Sequence, residues 1–146
     1  MNQLHITYTI LFLWLLLCSI QDIKKKKINI YLILAGLAGF FVLLISMTWN
    51  GEFNFLFCLG GMSLGLILLC LSFITKGQIG TGDGLIVCIT GLCLGFSRNA
   101  MLLAVSLLAS AIFSIVLLTF KLAGRKKTIP FVPFLLIGYM GVLFFG

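Results

Sequence analysis

The sequence predicts an all-α polytopic membrane bundle of about six transmembrane helices, and three observations lead there. Of the 146 residues, 62% are hydrophobic and only 9% are charged, a balance outside the range of ordinary water-soluble domains. The apolar residues fall in runs of about 17 to 22, the length a helix needs to cross a hydrocarbon core of about 30 Å. Only short linkers separate the runs. Backbone polar groups in lipid must be paired within a segment, so such runs form helices and not barrel strands.

The first run, Leu4 to Ile20, has no basic residue ahead of it and four lysines after it, the reverse of a secretory leader, so it is expected to be retained as a span. Large residues stand before Cys18 where a lipoprotein site would carry a small one. The second run is Ile28 to Trp49, followed by an Asn50-Gly51-Glu52 turn with Trp49 as an interfacial anchor. The third and fourth, Phe53 to Ile74 and Ile79 to Phe96, carry Gly61 and Gly65, and Gly91 and Gly95, at the small-xxx-small spacing that lets helix backbones approach. The fifth is Ala100 to Phe120. The sixth, Ile129 to Phe145, is opened by Pro130 and Pro133, which suit a helix start. These runs make residues 1–146 a single membrane-embedded domain.

A net charge of +7 raises the question of nucleic acid, but the basic residues sit in short linkers and not along one face. Membrane orientation accounts for them better. Placing the linker after the first span in the cytoplasm puts Lys24, Lys25, Lys26, Lys27, Lys76, Lys121, Arg125, Lys126 and Lys127 inside and leaves Arg98 outside. Both termini and Glu52 then face outward, while Asp22 and Asp83 share the inner side. Cys18, Cys58, Cys70, Cys88 and Cys93 lie in or beside apolar runs without metal-ligand spacing, and read as small buried residues. His5 lies at the far end from both aspartates and receives no role.

Only three acidic side chains occur in the chain, and two of them, Asp22 and Asp83, end at one membrane surface. The purely apolar part of the fourth run, Leu85 to Phe96, spans about 18 Å, too short to cross a hydrocarbon core alone. A helix beginning near Ile79 would sink Asp83 about one turn below the surface, and a carboxylate at that depth usually marks function. The segment Gly80-Thr81-Gly82-Asp83-Gly84 strips side-chain bulk from around it, either to admit an extended chain beside the carboxylate or as a linker between spans.

These residues resemble the type IV prepilin leader peptidases, membrane aspartic proteases with a GxGD signature. Gly80, Gly82 and Asp83 match that signature, and Gly91-Leu92 with Leu94-Gly95 is similar to the glycine pattern that follows it. Asp22-Ile23-Lys24 through Ile28 resembles the family's first aspartate with its basic stretch, and Ile129-Pro130-Phe131-Val132-Pro133-Phe134 resembles the segment opening its last span. Asn29, Val132 and Leu85 depart from the proline, glycine and lysine usual there, which bears on substrate preference more than on catalysis. Without that proline the second span is expected to begin as continuous helix at Ile28.

The resemblance implies an endopeptidase in a prokaryotic inner membrane that cuts the short basic leader from prepilins or pseudopilins at the cytoplasmic face. It implies Asp22 and Asp83 as catalytic residues, Gly80, Gly82 and Gly84 as an active-site loop, and neither metal nor cofactor. The paired-cysteine insertion associated with N-methylation has no counterpart, so a minimal peptidase is expected. Its partners would be basic-leader substrates and membrane lipid, with no nucleic acid, and the sequence leaves its oligomeric state open. Two other classes compete: a proton-coupled transporter, disfavoured because the middle of every run is apolar, and a catalytically silent assembly protein, disfavoured by retention of both aspartates. Which aspartate acts as base is open at this level.

Overall fold

The computed structural model describes residues 2–25, 29–49, 55–75, 80–120 and 130–145. Among them the chain forms five helices and no strand: α1 (Asn2–Lys25), α2 (Ile30–Trp49), α3 (Phe55–Ile74), α4 (Thr81–Thr119) and α5 (Val132–Phe145). The expected turn at Asn50 to Glu52 lies outside the described residues. So do Lys26, Lys27, Lys76, Lys121, Arg125, Lys126, Lys127 and Ile129, together with the side chains of His5 and Trp49.

The fourth and fifth of the about six expected helices are the two arms of α4, which meet at a kink without a loop. The joint is Gly95, at φ 74° and ψ 179°, a backbone conformation open to glycine and costly for other residues. Asn99 Nδ2 donates to the carbonyl of Val87 at 3.1 Å. Twelve residues of straight helix would hold those positions about 18 Å apart, so α4 doubles back at Gly95. Arg98, expected in an outer loop, lies instead on helix just beyond this corner.

The second arm of α4 then runs antiparallel to α5. The rings of Phe113 and Phe134 lie 5.4 Å apart, while Gly138 packs against Ser106 and Leu102. Helix α1 is also antiparallel to α5, with Asp22 against Val132 at one end and Tyr8 against Tyr139 at the other. Helix α3 packs chiefly on α4. Gly61 meets the Gly91 carbonyl and Gly65 meets Cys88 so closely that a Cβ at either position would collide with backbone. The glycine spacing in the two runs therefore does set a close helix contact.

Leu15, Cys18, Ile86, Val87, Leu102 and Tyr139 meet in one core drawn from α1, α4 and α5. Large apolar side chains point the other way: Leu13, Leu17, Phe41, Leu56, Phe73, Ile112 and Phe144 are all exposed. Water would not tolerate so wide an apolar surface, whereas lipid is its natural solvent. Helices α1, α3 and α4 are long and apolar enough to cross a membrane, and Ile30–Val42 and Val132–Phe144 are shorter apolar stretches. The molecule is an all-helical membrane protein, held together by close packing and interhelical hydrogen bonds.

Candidate active site

Helix α1 continues past the apolar run to Lys25, so Asp22 rides on its last turn. Leu11, Leu15, Cys18 and Asp22 follow one another at three- and four-residue steps, a single helical stripe. All four are buried, Asp22 at 6% exposure. The carboxylate thus faces the core, while Lys24 and Lys25 are exposed and complement the negative end of the helix dipole.

Asp22 Oδ2 accepts a hydrogen bond of 3.0 Å from the amide of Val132, the first residue of α5. Helix starts leave amides without intrahelical acceptors, and here the need is met from another helix. Phe131 has no side-chain acceptor of its own. The aspartate therefore caps α5 across the bundle.

Asp83 lies in the first turn of α4, where an acidic residue is favoured by the positive end of the helix dipole. Helix begins at Thr81, and of the glycines expected as an active-site loop Gly82 and Gly84 lie in its first turn. Gly80 is the N-cap, and its carbonyl accepts from the Asp83 amide at 3.1 Å. The Asp83 carboxylate folds back over it: a Cβ on Gly80 would stand 2.7 Å from Oδ2. Gly82 is half-exposed in the same turn. Gly84 is buried against Leu69 of α3, whose side chain a Cβ would meet at 2.9 Å, so its missing side chain lets α4 pack on α3.

Asp22 and Asp83 share the end of the bundle that carries the α5 start. The doubling of α4 sets its first turn at that end. Two carboxylates held close share protons instead of ionising independently, which is what acid and base chemistry on one water requires.

The Asn29 departure also has a structural use. Its amide donates to Gln21 Oε1 at 3.1 Å, and its own Oδ1 accepts from Tyr31 at 3.4 Å. Asn29 is thus the N-cap of α2, and the helix starts at Ile30 instead of Ile28, as had been expected. Proline there would have no amide for Gln21, the residue next to Asp22.

Sequence reasoning missed two features. The Val132 amide carries no sequence signal, being backbone. Asn99 had one, as an amide side chain just beyond a glycine within apolar sequence. It is fully buried, accepts from Thr90 Oγ1 at 2.9 Å and donates to Gly61 and Val87 carbonyls, each at 3.1 Å.

No curated protein and no solved structure matches the chain. The type IV leader peptidase family matches over residues 9–119, well over half of the sequence and inclusive of both aspartates, ending before α5. The chain belongs to the type IV leader peptidase family.

Proposed function

We propose that the protein is an aspartic-type endopeptidase that removes the short basic leader of prepilin-like or pseudopilin-like proteins at the cytoplasmic face of a prokaryotic inner membrane. The observation that carries this reading is that Asp22, at the end of α1, and Asp83, at the start of α4, lie at the same end of the bundle, in a chain of a peptidase family. Two carboxylates and a water are sufficient for the reaction. One, ionised, takes a proton from water as the oxygen attacks the scissile carbonyl; the other, protonated, gives its proton to the carbonyl oxygen. Collapse of the tetrahedral intermediate breaks the C–N bond: the proton taken from water passes to the leaving amine, and a hydroxyl proton of the intermediate returns to the carboxylate that had protonated the carbonyl oxygen. The titration belongs to the pair.

Gly80 supports the same reading, since its missing side chain leaves the space into which the Asp83 carboxylate turns. The seven residues between the first two apolar runs, 21–27, have no room for a paired-cysteine insertion, so cleavage without N-methylation is proposed. Lys24 and Lys25 are read as orientation anchors at anionic lipid, because substrates with basic leaders would be repelled by them.

Co-expression with a candidate prepilin tests the proposal. The native protein is expected to shorten the prepilin, and Asp22→Asn and Asp83→Asn are expected to leave it uncut at equal membrane levels. Processing by both variants would overturn the dyad.

A further inference from the structure

The start of α5 lies outside the region that matches the family, yet it touches one of the two aspartates. Its backbone can be accounted for amide by amide. Those of Phe134 and Leu135 are taken by the Phe131 carbonyl, at 3.0 and 3.2 Å. Pro133 has no amide. That leaves Val132, whose amide goes to Asp22 Oδ2 at 3.0 Å in a buried setting. Among the described residues no donor is bonded to the other oxygen, Oδ1.

We infer that the amide of Val132 is a positioning group for the proposed dyad: it fixes Asp22 by one oxygen and leaves the other for water and Asp83. The inference rests on the peptidase reading. A carboxylate on a helix terminus can slide between neighbouring first-turn amides, or take two at once. Proline as the second residue of α5 removes the adjacent donor, so the carboxylate has one amide to hold and one orientation to adopt. Val132 is itself fully buried and half-buried Pro130 and Phe131 precede it, which anchors the donor. The Pro-Phe-Val-Pro-Phe segment, residues 130–134, thus acts on Asp22 through its backbone, and the residue at position 132 matters for what its main chain offers.

Two comparisons test this. Val132→Pro removes the amide at the helix position where proline is best tolerated, and Val132→Ala loses the side-chain packing while keeping the donor. The expected result is a kcat for Val132→Pro about tenfold or more below that of Val132→Ala, with KM alike in the two. Equal kcat values would overturn the inference. A second measurement needs no change at position 132: amide hydrogen exchange of Val132 in the full-length protein in detergent. Protection is expected in the native protein and in Asp22→Asn, whose side-chain oxygen still accepts, and lost in Asp22→Ala. Protection that survives in Asp22→Ala would overturn the bond. If Asp22→Asn cuts prepilin normally, the dyad reading fails; if it is inactive while Val132→Pro equals Val132→Ala, the positioning inference alone fails.

Discussion

Asp22, on the last turn of α1, accepts a hydrogen bond from the Val132 amide that opens α5, at the same end of the bundle as Asp83 on the first turn of α4. If the two aspartates serve one water, neither is useful without the other. Replacing either by asparagine is expected to lower the rate of leader removal by about 10²- to 10⁴-fold, the range of a lost general acid or base. The double variant should be no slower than the worse single, because groups acting as a unit lose their effect together. Time courses with purified enzyme and prepilin check this, and multiplied defects would mean independent roles.

The bond from Val132 to Asp22 separates charge from capping. Asparagine at 22 still offers an oxygen to the Val132 amide; alanine does not. Asp22→Ala is therefore expected to be less stable than Asp22→Asn by about 0.5–2 kcal/mol, the worth of a helix cap, although both are expected to be inactive. Thermal unfolding in detergent measures the difference. An Asp22→Asn protein that is fully active and as stable as the native one would make Asp22 a cap and nothing more.

Gly80 allows the placement of Asp83 to be tested without strain. Its φ of −61° and ψ of 121° suit any residue, so Gly80→Ala adds only a methyl group 2.7 Å from Asp83 Oδ2. The carboxylate must turn away. A shift of about 1 Å at a reacting group can cost about 10²-fold in rate, and a loss approaching that is expected in kcat with little change in unfolding temperature. Full activity in Gly80→Ala would show that Asp83 does its work in another rotamer.

How far the sequence could be read depended on whether the signal was periodic. Apolar run length located the helical stretches among the described residues, since lipid imposes a minimum length, and the four-residue glycine spacing located the α3–α4 contact. The stripe Leu11, Leu15, Cys18, Asp22, at helical spacing in the sequence, already sets Asp22 on the core face. The corner at Gly95 was hidden because glycine serves both for close packing and for positive φ, and a run of letters does not separate the two. Asn29 was misjudged by the proline it lacks: the asparagine side chain caps α2 while its amide holds Gln21. The Val132 amide was out of reach, because hydrophobic pattern describes side chains and this contact is main chain.

The α3–α4 contact gives a prediction of sign. A methyl group on Gly61 would strike the Gly91 carbonyl, which is backbone and moves only if the helices part. Gly61→Ala is expected to destabilise by about 1–3 kcal/mol or more. Gly39 in α2 has nothing within 4 Å of its Cβ position, so Gly39→Ala should stabilise by about 0.5–1 kcal/mol through helix propensity alone. Opposite shifts in unfolding temperature are the expected result, and equal shifts would refute the contact.

Asn99 ties both arms of α4 to α3. Its amide group donates to Gly61 in α3 and to Val87 in the first arm, while Thr90 donates to its oxygen. Asn99→Leu is nearly the same size but leaves these groups without their partner, at a cost of about 1–3 kcal/mol. Thr90→Val removes one bond and should cost less, near the ~0.6 kcal/mol typical of interhelical hydrogen bonds in membranes. Asn99→Asp should be worst, since it sets a carboxylate against two carbonyl oxygens in a buried site. Because this clasp holds α4 in its doubled form, loosening it should also move Asp83 relative to Asp22. Leader removal is therefore expected to fall in the same order as stability, Thr90→Val, Asn99→Leu, Asn99→Asp, and unfolding measured alongside processing checks both orders. A stable Asn99→Leu protein with native activity would mean that Gly95 and the α3 contact hold the corner unaided.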